Sequence, residues 1–366
     1  MGNSFAYLVL FSWPVVTAVL FTRLDPGRAI LWSLLAGFLL LPERVGVDLP
    51  GLPPLDKTTI PSLSALACAF LVARERPRLL PRSLFARLCL VLLVAGPFFT
   101  AFLNGDALVY GPVVKQGLGL QDAISYMVRG LLAIIPFLLA RNYLADAGSH
   151  RAILWALFLS GLAYSLAMLF EIRMSPQLHK WVYGFFPHTW LQMERFGGFR
   201  PVVFLTHGLE VAMFAALVLG AAGALWRMAE PRAQSLHLIA IGYLSVVVVL
   251  CKTVSAWAYG LFLVPAMMLF PRRLQLLAAA GLVGLTLLYP ALRSLDLFPT
   301  EPILSVASAV SEARAASLET RFDEEQALLD KALERPVFGW GSSGRNRVRD
   351  PDTGVDVSIT DGTWII

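Results

Sequence analysis

Apolar stretches long enough to cross a bilayer recur along most of this chain, and nothing else constrains its fold as strongly. They fall at about 5–22, 29–42, 60–73, 84–103, 124–144, 151–171, 203–226, 236–251, 255–270 and 274–292. A hydrocarbon core about 30 Å thick takes about 20 apolar residues as a helix, and it tolerates no unpaired backbone. A β-barrel would show short alternating segments instead, and the chain has none. Charged residues make up 15% of the 366 positions, where a soluble domain carries about 25%. The expected fold class is all-α: a polytopic transmembrane helical bundle of about ten spans in this chain. The second and third runs are short, so either is expected to tilt strongly or to re-enter; if both fail to cross, everything downstream keeps its orientation.

The loops sort by charge. Arg23 and Arg28 share one loop, and Arg74, Arg76, Arg78, Arg82 and Arg87 share the next on that side. Arg141 with Arg151, Arg227 with Arg232, and Arg272 with Arg273 complete the series. Short arginine-biased loops mark the cytoplasmic side. The longer loops 43–59, 104–123, 172–202 and 293–360 mix both signs and are expected outside, as is the N-terminus. The net charge of +5 then reflects topology, and no nucleic-acid partner is expected. Without a basic n-region before the first run, no cleavable signal peptide is expected. Cys68, Cys89 and Cys251 have no paired spacing, so neither a disulfide framework nor a zinc site follows.

Three regions result: a transmembrane domain over 1–292, a mostly helical extracytoplasmic loop over 293–360, and the start of a further span over 361–366. Within the loop, Leu318, Phe322, Leu329 and Leu333 recur at helical spacing and predict an amphipathic helix that Pro336 stops. A glycine-rich turn follows, Gly339-Trp340-Gly341-Ser-Ser-Gly344, with Arg345, Arg347 and Arg349 beyond it. The turn matches GxGxxG, but no strand precedes it and no helix clearly follows, so a dinucleotide site is rejected. A phosphate cradle and a plain tight turn both remain open.

The first candidate cluster is Arg195-Phe-Gly-Gly-Phe199-Arg200-Pro201, followed by His207 and Glu210. A lipid-headgroup anchor would account for either arginine alone. Two arginines around a Gly-Gly turn make a better anion site, because glycine lets backbone approach a ligand. His207 and Glu210, three apart, are expected on one helix face a turn or two into the seventh span. Ionisable groups there either line a polar cavity or form a structural pair. Lys252, between two runs, reads as an anion contact or an anchor. Arg321, in Ser317-Leu-Glu-Thr-Arg321, reads by itself as a solvated residue with local ion pairs such as Arg321–Glu325. The aromatic crowd of Trp181, Tyr183, Phe185, Phe186, His188 and Trp190 fits an interfacial belt. No metal-ligand spacing and no Ser/His/Asp arrangement stands out. Asp122 and Asp361 are the carboxylates near outer helix ends.

In order and spacing, three stretches resemble the O-antigen ligase and polymerase superfamily of membrane glycosyltransferases. They are Arg195 to His207 leading into a span, Lys252-Thr-Val-Ser255, and Arg321 through Glu334-Arg-Pro336-Val-Phe-Gly339-Trp-Gly341. The resemblance implies a metal-independent, cofactor-free glycosyltransferase of the bacterial cytoplasmic (inner) membrane. Its donor would be a polyprenyl-pyrophosphate-linked glycan, its acceptor a glycan hydroxyl, and other polysaccharide-assembly proteins its possible partners. Arg195 or Arg200 would be the first leaving-group arginine, Arg321 the second. His207, Glu210, Lys252, Trp340, Arg345 and Arg347 would bind substrate. Two departures stand out: Ser255-Ala256 where many members have Ser-Arg, and Asp361-Gly362 where ligases have a His-Asn pair. Asp361 as acceptor base favours a polymerase over a ligase that transfers glycan to lipid A core; a helix N-cap is its simpler role. A flippase for the same lipids is the rival of another class.

Overall fold

The computed structural model describes residues 2–49, 51–74 and 76–358. Each of the ten apolar runs forms a helix. In chain order the helices are α1 (Ser4–Arg23), α2 (Pro26–Leu40), α3 (Thr59–Leu71), α4 (Leu84–Phe102), α5 (Leu120–Tyr143), α6 (Ala147–Met174), the short α7 (Leu178–Tyr183), α8 (Gly208–Met228), α9 (Pro231–Leu250), α10 (Val254–Met268), α11 (Arg272–Ser294), α12 (Thr300–Val310) and α13 (Glu312–Leu333). Among the described residues the strands form three two-stranded hairpins: β1–β2 (Gly46–Val47, Leu55–Asp56), β3–β4 (Leu108–Tyr110, Val113–Lys115) and β5–β6 (Glu194–Arg195, Gly198–Phe199).

Among the described residues, seven helices are long and apolar enough to cross a membrane: α1, α4, α5, α6, α8, α9 and α11. The other three apolar helices, α2, α3 and α10, have 15, 13 and 15 residues. At 1.5 Å per residue these reach only about 20–22 Å, short of the hydrocarbon thickness. For α10 this departs from the sequence expectation of a full run. It starts at Val254, just after the left-handed Lys252 (φ 53°) that separates it from α9, and ends at Met268, two residues before the apolar run does.

The chain divides into two compact units, Met1–Arg82 with Leu131–Gln275 and Ser83–Gly130 with Leu276–Ile366. This division does not follow the sequence boundary at residue 292, because α4 and most of α11 group with the segment beyond it.

In the first unit α8 is the hub, with 72% of its apolar stretch buried. Its small residues Ala212, Ala215, Ala216, Gly220 and Gly223 let α6, α9 and α10 close on it, the usual way membrane helices gain van der Waals contact. Gly161 of α6 shows how close that approach is: a Cβ there would lie 2.2 Å from Val218 Cγ1. Buried polar groups on α1 and α2 are matched to each other. The Thr17 and Ser33 hydroxyls lie 2.7 Å apart, and Trp13 Nε1 donates to the Ser33 carbonyl at 3.2 Å.

The two ends of this unit differ in chemistry. One end gathers the arginine-bearing turns: Arg141 donates to the Arg78 carbonyl at 2.7 Å and Arg227 to that of Phe270 at 2.5 Å. The opposite end gathers the long loops. There Asn3 N–H bonds the Tyr183 carbonyl at 2.9 Å, and Glu43 N–H bonds His179 Nε2 at 3.3 Å. Sequence alternation of loop charge thus becomes a spatial separation.

In the second unit α12 packs on α13, and Glu325 of α13 accepts from Arg293 Nε at 3.1 Å and Tyr289 Oη at 2.7 Å of α11. The buried stripe of α13 runs through Leu328 and Leu329, while Leu333 is 52% exposed. The expected stripe is therefore corrected by one position at its end, where Pro336 lets the last turn unwind toward Gly339.

Candidate functional site

At the loop end of the first unit, β5 and β6 form a tight hairpin whose two turn residues, Phe196 and Gly197, both have positive φ (48° and 65°). That is the conformation of two-residue hairpin turns with the native twist, and it moves the turn one residue ahead of the Gly-Gly pair. Arg195 is exposed on the first strand, and Arg200 leaves the second strand with only 6% of its surface exposed. Arg200 Nε donates to the Lys252 carbonyl at 3.4 Å, and Lys252 Nζ reaches back to the Phe196 carbonyl at 3.4 Å. Lys252, 52 residues on from Arg200, therefore joins the two arginines at one hairpin. Among the described residues none of them forms an ion pair with a carboxylate. Burial, and then Arg195, pull the Arg200 pKa below its ordinary value.

The segment after Arg200 is held at almost every backbone group. Glu171, fully buried at the end of α6, accepts from Leu178 N at 2.8 Å with Oε1, and from Val202 N and Val203 N at 2.7 Å each with Oε2. Tyr164 Oη accepts from Phe204 N at 3.0 Å, and Lys57 Nζ donates to the Phe204 carbonyl at 2.9 Å and to Glu43 Oε1 at 2.6 Å. Val203 has a φ of 53°, a genuine outlier for a β-branched residue. Such strain persists only where surrounding bonds over-determine it, and here the Glu171 carboxylate supplies them. Neither Glu171 nor Lys57 stands out in the sequence. Their partners are backbone groups up to 147 residues away, and only a lone acid near the end of an apolar run hints at Glu171.

His207 and Glu210 are not a turn or two inside a span, and their one mutual bond is a backbone one, the Glu210 N–H donating to the His207 carbonyl at 3.0 Å. His207 is the N-cap of α8, its Nδ1 accepting from Leu209 N at 3.0 Å, and Glu210 Oε2 accepts from Thr206 N at 3.0 Å. Each side chain caps a neighbouring N–H, His207 that of the second helical residue and Glu210 that of the residue before the N-cap, so the two share the helix start without the mutual bonds of a capping box. With Nδ1 as acceptor, the neutral ring carries its proton on Nε2, leaving a donor. Burial first, then His188, Arg200 and Arg195, push the His207 pKa down to about 4. The ring is therefore uncharged at neutral pH and is a hydrogen-bond donor rather than an effective base. His188 lies edge-on to it with centroids 4.6 Å apart, and Phe186, Trp190 and Phe199 form a chain of ring contacts at 5.0 and 6.2 Å. Tyr183 and Phe185 instead pack into the core around His179, so the expected belt splits into a core half and a site half.

In the second unit Arg345 is completely buried, donating to the carbonyls of Asp106 and Gln116 at 2.8 and 3.1 Å and pairing with Asp106 Oδ1 at 3.2 Å. Arg335 takes the other oxygen of Asp106 at 2.7 Å. The hydrogen bond from Arg335 holds the Asp106 carboxyl below the usual carboxylate range. Arg347 faces Asp356 at 3.9 Å. The Trp340 ring is covered by Lys331 and Arg335 at 3.7 and 4.1 Å from its centroid, and its Nε1 donates to the Lys331 carbonyl at 2.6 Å. These bonds correct the expectation for Arg345 and Trp340: both are committed to protein partners that fasten the glycine-rich turn. Gly339, Gly341 and Gly344 all have positive φ (66°, 76° and 75°), and Asn104 Nδ2 donates to the Gly339 carbonyl at 2.9 Å. The turn is thus a structural element of this unit. Arg321 is exposed on α13, and Glu325, its expected local partner, is engaged by Arg293 and Tyr289. Asp122 Oδ2 accepts from Gly119 N at 2.8 Å at the start of α5. Asp361 lies outside the described residues. Compared with known protein families, curated proteins and solved structures, the chain matches none.

Proposed function

We propose that the chain is a membrane glycosyltransferase that transfers or polymerises polyprenyl-pyrophosphate-linked glycan units, with polymerisation favoured. One observation carries this reading: Arg195, Arg200 and Lys252 meet at one hairpin, none of them paired with a carboxylate among the described residues, and the backbone that follows the hairpin is held in place by Glu171, Tyr164 and Lys57. In the reaction an acceptor hydroxyl attacks the anomeric carbon, the new glycosidic bond forms, and the bond to the phosphate oxygen breaks. The pyrophosphate leaves with the electron pair. Cations fixed before the reaction stabilise that developing charge most effectively, because nothing need reorganise. Arginine suits the role through its permanent charge and its fork of donors. His207 would donate from Nε2 to a phosphate or sugar oxygen. The hydroxyl proton needs an acceptor, and Asp361 is assigned to it from sequence alone. On this reading Arg321 is the second leaving-group cation, the cluster lies on the outer side of a bacterial cytoplasmic membrane, and about ten helices cross or enter it.

A lipid-linked glycan transporter is the second reading, supported by the three short apolar helices α2, α3 and α10, since interrupted helices are common in transporters. One experiment separates the two. Purified protein in proteoliposomes is given an undecaprenyl-pyrophosphate glycan, with EDTA present. Growth of polymer with release of undecaprenyl pyrophosphate, lost in Arg200→Ala and Arg321→Ala, is the expected result. Movement of intact glycolipid across the bilayer without chain growth would make the transporter reading correct, and transfer to lipid A core alone would make it a ligase.

A further inference from the structure

The end of the first unit opposite the cation cluster carries a second feature. Between α2 and α6 runs a groove of about 430 Å³, within the range of about 300–1,000 Å³ of small-ligand sites. Both helices begin at this end, where the first turn of α2 meets the end of α5 that leads into α6: a Cβ on Gly27 would lie 2.7 Å from the Tyr143 carbonyl. Along α6 the lining residues are Arg151, Trp155 and Leu159, one turn apart; along α2 they are Arg28, then Leu31 and Trp32. At 1.5 Å per residue, each helix presents charge at its mouth, an indole about 6 Å deeper, and on α6 an aliphatic side chain about 12 Å in. That sequence of chemistries matches the layers of a lipid leaflet: headgroup, interface and acyl chain.

We infer that this groove binds one anionic phospholipid, its phosphate between Arg28 and Arg151 and an acyl chain along Trp32, Trp155 and Leu159. Basic pockets between transmembrane helices are known to take such headgroups. Arg151 is exposed and forms no hydrogen bond or ion pair among the described residues. Arg28 meets Asp25 at 3.3 Å in a pair whose two side chains are 63% and 58% exposed, too solvated to neutralise the site. The inference is independent of the glycosyltransferase reading.

The test titrates the purified full chain in a neutral detergent with dioleoylphosphatidylglycerol or dioleoylphosphatidylcholine, counting bound lipid by native mass spectrometry. One tightly held phosphatidylglycerol is expected, weakened by added NaCl, with phosphatidylcholine bound far less. Each arginine near an anionic headgroup contributes about fivefold, so Arg28→Gln/Arg151→Gln should weaken binding about 30-fold. If the double variant unfolds, Arg151→Gln alone should show its fivefold share. Unchanged phosphatidylglycerol affinity in a folded variant overturns the inference, as does equal retention of phosphatidylcholine. Displacement of the lipid by glycerol 3-phosphate at equal concentration would show a bare anion site and overturn it too.

Discussion

Two arginine-rich segments of this chain are built in opposite ways. In 195–200 the two arginines form no ion pair with an acid among the described residues, although Glu194 is adjacent, and the Arg200 side chain has a single carbonyl as its protein partner. In 335–349 Arg335 and Arg345 divide one carboxylate between them, and Arg347 faces another. The first arrangement leaves charge to offer; the second spends it on holding a turn to a hairpin. Sequence proximity of arginines does not distinguish the two, but the presence of a complementary acid does. Asp106 lies more than 200 residues from the arginines it binds, so no local reading could have assigned it.

The largest expected effects test this contrast directly. Arg200→Ala should lower turnover about 10²–10³-fold, the usual cost of removing a fixed charge-stabilising donor, with thermal unfolding nearly unchanged. Arg345→Ala should do the reverse. It strands the carbonyls of Asp106 and Gln116, empties the space of a fully buried side chain and leaves Asp106 with Arg335 alone, so it should cost about 2–4 kcal/mol of stability, read by denaturant unfolding in detergent. Full activity in folded Arg200→Ala, or unaltered stability in Arg345→Ala, would remove the distinction between the segments.

Next in size is Glu171→Gln. An amide keeps the shape but brings a donor toward the N–H groups of Val202 and Val203, so about 1–3 kcal/mol should be lost locally. If Glu171 positions Arg200, turnover should fall with little change in KM, and Glu171→Asp should rescue part of it. Equal losses of stability in all variants with wild-type turnover per folded molecule would reduce the residue to a packing role.

Much of the fold was legible and less of the site. The apolar runs became helices because membrane helices need little besides length and hydropathy. The seventh run begins at 203 in the sequence, five residues before α8 starts at Gly208. Residues 202–206 are as apolar as a helix, but Glu171, Tyr164 and Lys57 claim their backbone groups. The same cause turned His207 and Glu210 from a buried pair into a cap. Arg195, Arg200 and Lys252 were each legible as cations near helix ends, whereas their meeting depends on the left-handed turn at Lys252.

The smallest expected effects are pH-dependent, and they fall in separate windows for the two units. His207 has its folded pKa pushed down to about 4, below the ordinary value of about 6.5. Between these values the unfolded chain binds a proton that the folded chain refuses, so stability rises with pH and is lost as pH falls toward 4. His207→Gln should flatten that slope in the first unit. The Asp106 carboxyl also lies below its ordinary value, so its contribution is complete above about pH 4 and fades only at lower pH. Asp106→Asn should lower stability evenly above about pH 4 and flatten the slope only on the acid limb. Unfolding followed at pH 3–7 by fluorescence checks both, and a single shared transition shifted by both variants would merge the windows.

The mooring of Arg200 by one N–H has a practical corollary at the bench. A buffer ion with two or three oxygens can occupy the rest of the fork, and phosphate or sulfate at working concentrations would compete with any substrate that presents its own phosphates there. Turnover measured in phosphate-buffered saline should therefore read lower than in a zwitterionic buffer of equal ionic strength, with the deficit vanishing in Arg200→Ala.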